Sequence, residues 1–451
     1  MTRSAAAQAG GAHLLYVAWG YPPSRGSGVY RAWATANAFA ERGWRVTVLT
    51  ADRETFALTT GTDTSLEARI NPSVQVVRVP FPAPGFRNDV RKWSRLRAEA
   101  PELWNGFYEW RGQRMFPERV YGGWRRALEH AAREIHAANP VNLTIGTANP
   151  NVDFIPGFVL HEAFGVPYVM DYRDAWQLDV FSGNRITAES SAVDRWEKRL
   201  VAGASEVWFV NEPILRWHAE VYPEHASKLR VVSNGYDFAP IAVPRTDRLP
   251  KASLVFGYVG TISAAVPIRE IIDGWALARK RSALVRASRL ELYGHLSHTA
   301  TANSDFEAQR ERFKTHAISH GGSLQKSAVS AKYSEFDALV LMAGAGRYVT
   351  GGKVYEYAAT GLPIASVHDP ANDTSSALAQ YPWWRGSARA DAESYAATFI
   401  EVAELAAAQT EEQRAAAREW ARRFEREAQL APRIDGLAEL IGAVGTEEAT
   451  S

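Results

Sequence analysis

No cysteine occurs anywhere in the 451 residues. That excludes disulfides, thiolate-bound metal and a cysteine nucleophile together, and it fits a reducing compartment. A charge excess is missing as well. Lys and Arg number 51 against 50 Asp and Glu, a net charge of +1, so nothing global points to nucleic acid or to an acidic partner. No apolar run approaches the roughly 20 residues that a membrane span needs. The first dozen residues, Met1 to Ala12, are small and polar with one arginine. They lack an apolar stretch of signal-peptide length and read as a frayed, disordered tail. The expected location is the cytoplasm.

What is present is the composition of a soluble globular chain, 46% hydrophobic and 22% charged, too long for a single core. Strand-like apolar runs alternate with helical spacing. Leu14 to Ala18 reads as a buried strand, followed by a Pro/Gly/Ser loop over Tyr21 to Gly28, a helix over Val29 to Arg42 and a strand over Arg45 to Thr50. That is the opening βαβ of a doubly wound sheet. Further strands are expected at Val74–Val79, Leu143–Ile145, Tyr168–Asp171, Val207–Val210 and Arg230–Val232. Tyr236 to Ala252, rich in Pro, Asp and Arg, reads as a linker. A second alternation then runs through Leu254–Val259, Leu290–Tyr293, Ala338–Met342 and Ile364–Val367. The fold class is α/β, with one Rossmann-like domain over residues 13–240 and another over 241–425. Thr410 to Gly436 reads as one long charged helix leading into the last segment, 426–451.

Between the last two of these strands lies Thr350-Gly351-Gly352-Lys353-Val354-Tyr355-Glu356-Tyr357, closed by Gly361-Leu362-Pro363. A glycine pair there opens a short helix whose first N–H groups are unpaired and attract phosphate. Lys353 adds a full positive charge, and Glu356 lies one turn later on the same face. A cation for a diphosphate beside a carboxylate for ribose hydroxyls is what a sugar-nucleotide site requires. An ordinary βαβ turn with a solvated Lys–Glu pair has the same spacing.

Residues 86–126 break the alternation. Arg87, Arg91, Lys92, Arg95, Arg97, Arg111, Arg114, Arg119, Arg125 and Arg126 are interleaved there with Trp93, Trp104, Phe107, Tyr108, Trp110, Phe116, Tyr121 and Trp124. One reading is a helical insertion whose aromatics cap the domain core. The sharper one is a surface for an anionic acceptor or for peripheral contact with an anionic membrane at its inner face. Nucleic acid is the weaker third.

Taken together these segments resemble the retaining glycosyltransferases of family 4, and within them the branch that builds bacterial amino-sugar glycans. The resemblance extends over about residues 13 to 425. It is carried by Tyr21-Pro22-Pro23-Ser24-Arg25-Gly26-Ser27-Gly28, by Gly43-Trp44-Arg45-Val46-Thr47-Val48, and by Asp171-Tyr172-Arg173-Asp174-Ala175-Trp176. Ser233-Asn234-Gly235-Tyr236-Asp237, Tyr258-Val259-Gly260-Thr261 and the Gly352-Lys353…Pro363 segment complete it. It implies the GT-B fold, two Rossmann-like domains facing a central cleft, and transfer from a nucleotide sugar to a glycan, lipid-linked or small-molecule acceptor with retention, without metal or other cofactor. Two departures stand out. Tyr348 occupies the place of the first of two family glutamates, and no cation follows Gly260 until Arg269, so Lys353 must supply more of the charge.

The resemblance assigns donor binding to Gly26, Ser27, Gly28, Gly260, Thr261, Arg269, Gly351, Gly352, Lys353 and Glu356. Catalytic parts fall to Lys353, Glu356, Asp171 and Arg173, and the acceptor side to Asn149, Arg173 and Asp174. Arg173, between Asp171 and Asp174, argues for an ion pair there rather than a metal site. A nucleotide-sugar epimerase of the same fold and a non-catalytic sugar-nucleotide binder are the alternatives. A dehydrogenase is disfavoured, because Tyr21 to Gly28 lacks the G-x-G-x-x-G spacing.

Overall fold

The structure, a computed structural model, describes residues 11–448 apart from 83, 87–88, 238–251, 296–303, 325 and 345. Most of the expected tail and linker therefore lies outside the described residues. The chain forms two compact units. One comprises residues up to Asp179, Asn184–Ser233 and the chain from Gln429 on; the other comprises Val180–Gly183 and Asn234–Ala428.

The first unit is built on a seven-stranded sheet. Its strands are β1 (His13–Val17), β2 (Arg45–Ala51), β3 (Val74–Val79), β4 (Leu143–Thr147), β5 (Tyr168–Tyr172), β6 (Glu206–Phe209) and β7 (Leu229–Val231). They lie in the order β3-β2-β1-β4-β5-β6-β7, and every pairing is parallel, with Leu14 opposite Val46 on one side and Leu143 on the other. Parallel strands are covered on both faces, which is why they appear in the sequence as continuous apolar runs. The alanine-rich helix Val29–Glu41 buries Ala32, Ala36 and Phe39, and the chain leaves it through Gly43 at φ +83°, a conformation that glycine adopts without a Cβ clash.

The second unit carries a six-stranded sheet of β8 (Val255–Val259), β9 (Arg289–Tyr293), β10 (Ile318–His320), β11 (Ala338–Leu341), β12 (Ile364–Ser366) and β13 (Trp384–Gly386). Its order is β10-β9-β8-β11-β12-β13, again parallel throughout. Both sheets are therefore Rossmann-like. The edge strands β10 and β13 were not anticipated.

The expected single helix over 410–436 is instead two, Glu411–Ala421 and Arg426–Glu448. Between them the backbone pairs with Tyr236: the Tyr236 N–H donates to the Phe424 carbonyl at 3.1 Å, and the Arg426 N–H to the Tyr236 carbonyl at 3.1 Å. Arg422–Phe424 forms a 3-10 turn, and an α-helix continued through Glu425 would forfeit that pairing. From Gln429 on, Leu430, Ile434, Leu437 and Ala438 are buried in the same apolar cluster as Tyr16, Phe39 and Trp208. Their spacing is that of one helix face. The C-terminal helix thus completes the first unit's core rather than standing apart from it.

The insertion between β3 and β4 holds the helices Arg95–Glu99 and Pro101–Met115, and its aromatics divide. Phe116 and Trp124 are fully buried, Phe116 stacking on Trp176 at 5.1 Å and Trp124 meeting Phe81 edge-on at 5.5 Å. Trp93 and Trp104 hold the buried Arg97 guanidinium between their rings, at 4.1 and 4.7 Å. Leu103, Phe107 and Trp110 instead remain exposed, at 78%, 54% and 52%. Their spacing of four and three residues places them on one helix face.

Candidate functional site

Open parallel sheets bind ligands beyond the carboxyl ends of the strands, where the strand order reverses. In the second unit that point lies between β8 and β11. Gly260 and Thr261 follow β8 directly. The Gly260 N–H donates to the Tyr293 carbonyl at 2.9 Å, and the Tyr258 hydroxyl to the Thr261 carbonyl at 2.8 Å. Gly294, at φ +139°, packs so closely that a Cβ there would lie 1.8 Å from the Gly260 oxygen. Arg269 is exposed in the first turn of the helix Ile268–Arg281 and has no ion-pair partner among the described residues.

After β11 the chain reaches Gly351 and Gly352 and enters the helix Lys353–Ala359. Lys353 Nζ donates to Glu356 Oε2 at 2.8 Å, and the Tyr333 hydroxyl donates to the same oxygen at 3.1 Å. Burial and the neighbouring Glu356 hold the Tyr333 hydroxyl well above its usual range, so it remains a donor. The helix has only seven residues, so its dipole is weak, and the full charge of Lys353 is the stronger attraction for an anion.

The two glycines are informative. Neither has a positive φ, and a Cβ on either would meet nothing within 4 Å. Neither backbone conformation nor the packing of the chain requires glycine at these positions. Both leave the backbone open to close approach. The Gly351 N–H has a long contact of 3.4 Å to Thr374 Oγ1, and the Thr350 hydroxyl is held by Asp373.

In the first unit the order reverses between β1 and β4, and the loops after both strands carry expected site residues. Gly26, Ser27 and Gly28 precede the helix Val29–Glu41, which starts without a capping side chain. Gly28 is constrained differently from the second-unit pair: a Cβ there would lie 1.6 Å from the Arg173 guanidinium. Arg173 lies across that glycine and donates from Nε to the Ala148 carbonyl at 2.7 Å. Asn149 and Asp174, both exposed, are joined by an amide-to-carboxylate bond of 3.1 Å. Gly28, Asn149, Arg173 and Asp174 thus lie together at one sheet edge.

Asp171 does not share that exposure. It is fully buried, and Arg31 grips it with Nε at 2.8 Å and Nη2 at 2.6 Å while the Thr147 hydroxyl donates at 3.1 Å. Both carboxylate oxygens are taken and the side chain has no exposure, so the catalytic part expected of Asp171 does not come from direct contact with a substrate in this arrangement. His218 is buried among Phe209, Tyr172 and Trp217 and serves packing.

Sequence reasoning missed several neighbours of these residues. Tyr333 reaches Glu356 only through the fold. Arg347, an exposed cation four residues before Gly351, was legible by position. Two carboxylates, Asp153 fully buried and Glu118 half-buried, also escaped notice. Asp153 accepts the Trp19 N–H at 2.6 Å, and burial raises its pKa well above the usual carboxylate range. Glu118 accepts the Asn151 and Val152 N–H groups, both at 2.8 Å, and so ties the insertion to the loop after β4. Burial pushes Glu118 up to about 7, against the opposing pull of those hydrogen bonds.

Between the ordinary glutamate value and about 7, the folded protein therefore holds a proton at Glu118 that the unfolded chain has released. Its stabilising contribution is complete at low pH and is lost as pH rises through about 7. The stability advantage of the wild type over Glu118→Gln should shrink by on the order of 2–3 kcal/mol between pH 5 and pH 8. Urea unfolding midpoints of the two proteins across that range check it; a constant difference would show that Glu118 is ionised throughout.

Residues 25–235 match a family model described as a glycosyl transferase 4-like domain. No curated protein matches the sequence. Among solved structures, a glycosyltransferase from Rickettsia africae superposes with a TM-score of 0.64 at 11% identity, over 95% of this chain and 98% of that one. HepE from Anabaena, solved with UDP, gives 0.58 at 14% identity, over 95% and 100%. A protein described as a UDP-N-acetylglucosamine 2-epimerase from Listeria monocytogenes gives 0.51 at 9%, over 97% of both chains. The shared fold is GT-B.

Proposed function

We propose, from the premise that residues 25–235 are a glycosyl transferase 4-like domain in a chain of GT-B fold, that this protein transfers a sugar from a nucleotide-sugar donor to an acceptor hydroxyl with retention. The observation that carries the reading is the second unit's cluster at its switch point. Two glycines that the fold itself does not require open onto Lys353, and Glu356 stands beside it under the Tyr333 hydroxyl. On donor binding Lys353 turns to the diphosphate and Glu356 accepts from ribose hydroxyls. HepE, a protein of the same fold, was solved with UDP.

In the reaction the bond from the anomeric carbon to the leaving phosphate oxygen breaks, and a bond from that carbon to the acceptor oxygen forms on the same face. The acceptor's proton passes to the departing phosphate, so no side chain need act as base. Negative charge grows on the phosphate, and fixed positive potential around it is the strongest stabilisation the protein can offer. Lys353 supplies it, with the N–H groups of Gly351 and Gly352. The exposed edge of Asn149, Arg173 and Asp174 suits a polar acceptor.

A panel of sugar nucleotides tests the reading. Acceptor-dependent nucleotide release supports transfer. Sugar interconversion indicates an epimerase, and thermal stabilisation alone a binding protein. Gly352→Ala sharpens the test. Its φ of −56° and ψ of −24° suit alanine, so the substitution should leave stability unchanged or raise it by about 0.4–1 kcal/mol. Nucleotide affinity should nevertheless fall. Unchanged affinity would place the diphosphate away from this backbone.

A further inference from the structure

A cavity of about 550 Å³ opens behind the Pro101–Met115 helix, entirely within the first unit's insertion. That is the size of a small-molecule site, roughly 300–1,000 Å³. Phe86, Tyr108, Met115 and Val120 give it an apolar wall. Arg111 and Arg126 also line it; both are exposed, and neither has an ion-pair partner among the described residues. The one acid of the lining, Glu109, is already taken by Arg119 at 2.8 Å. The cavity therefore pairs an apolar interior with two uncompensated cations.

Two local features go beyond composition. The Asn105 side-chain oxygen, on the cavity lining, is buried with no hydrogen-bond partner among the described residues, which is unfavourable unless a donor arrives from outside. Val120 in the same wall sits at φ +69°, a region that β-branched residues avoid and that persists where the surroundings impose it. Two residues before it, Glu118 is bonded to the loop after β4, so this wall is fastened to the loop that carries Asn149.

We propose that the cavity binds one hydrocarbon chain of an anionic amphiphile, with a phosphate-type head held by Arg111 and Arg126 and a head-group O–H meeting Asn105. On the transfer reading, on which this part of the inference rests, such an amphiphile is the acceptor's lipid portion. A half-open cavity of this size favours a single chain over a bilayer surface. A bilayer would instead rest on the exposed Leu103, Phe107 and Trp110 face and leave the cavity empty.

The test titrates the full-length protein with monomeric decyl phosphate, with decanol and with inorganic phosphate, followed by calorimetry. Decyl phosphate should bind saturably at one site and inorganic phosphate should not bind. Arg111→Ala/Arg126→Ala should weaken decyl phosphate by about tenfold or more while leaving decanol unchanged. In Gly123→Leu the new Cβ sits 3.9 Å from Met115 and Pro82, and its side chain should fill the cavity and abolish binding of both chains. The arginine variant alters only exposed side chains, so it keeps the test decisive if Gly123→Leu fails to fold. Decyl phosphate binding that persists in both variants, or no binding at all, overturns the proposal. So does attachment only to phosphatidylglycerol vesicles that Gly123→Leu leaves intact, which would assign the insertion to a membrane surface. The panel of sugar nucleotides titrated in parallel separates the two readings. Failure of every member to bind beside intact decyl phosphate binding removes the transfer reading alone, and binding of a sugar nucleotide without decyl phosphate binding removes the cavity alone.

Discussion

Lys353→Ala should lower kcat/KM by about ten- to a hundredfold, the worth of one charge-assisted contact to phosphate, and leave the thermal midpoint close to that of the wild type. The two halves of the expectation come from one geometry. The Lys353–Glu356 pair is 36% and 32% exposed, and an ion pair so open to water contributes about 0–1 kcal/mol to stability. Nothing in the fold depends on it strongly. A phosphate seated on the Gly351–Gly352 backbone would be stabilised by the full lysine charge, increasingly so as charge builds on the leaving group. Initial rates and melting curves on the same preparations read both quantities. Near wild-type turnover would place the diphosphate elsewhere, and a loss of stability matching the loss of rate would make Lys353 a structural residue.

The parts of the molecule legible in the sequence are those in which one local pattern has one physical cause. Leu14–Val17 and Ala338–Leu341 are apolar at every position because parallel strands are buried on both faces. The edge strands β10 and β13 escaped because each is three residues long and partly exposed, with His320 and Arg385 among them. The Lys353–Glu356 pair was readable from its spacing along a helix. Tyr333, twenty residues earlier, was not, since only the folded chain brings its hydroxyl to Glu356. The break near Phe424 was hidden for the same reason, its cause being the distant Tyr236 backbone. Gly28 and Gly352 look alike in sequence and differ in structure, the first crowded by Arg173 and the second open. The same limit applied to Asp171. It stands two residues from Arg173 in a motif that reads as a site, and the partner that takes it out of reach is 140 residues away along the chain.

That partner sets the largest expected effect on stability. Arg31 is 5% exposed and Asp171 fully buried. The guanidinium also donates from Nη1 to the Val232 carbonyl at 2.9 Å and to the Ser233 carbonyl at 3.2 Å, so one side chain joins the first helix, the end of β5 and the segment after β7. Asp171→Ala leaves a buried arginine charge without its counter-ion, and Arg31→Ala leaves a buried carboxylate without its own. Each should destabilise the first unit by about 3–5 kcal/mol, a large share of the 5–15 kcal/mol that holds a typical domain together. The pair itself is worth much less, because its attraction is offset by the cost of removing two charges from water. Arg31→Met combined with Asp171→Leu should therefore recover most of the loss, and denaturant unfolding of the two single variants and the double variant measures it. Recovery of stability without recovery of activity would show that the pair positions Arg173 and the sheet edge rather than holding the fold. A double variant as unstable as either single one would instead show that the hydrogen bonds to Val232 and Ser233, lost in both Arg31 substitutions, carry the stabilisation.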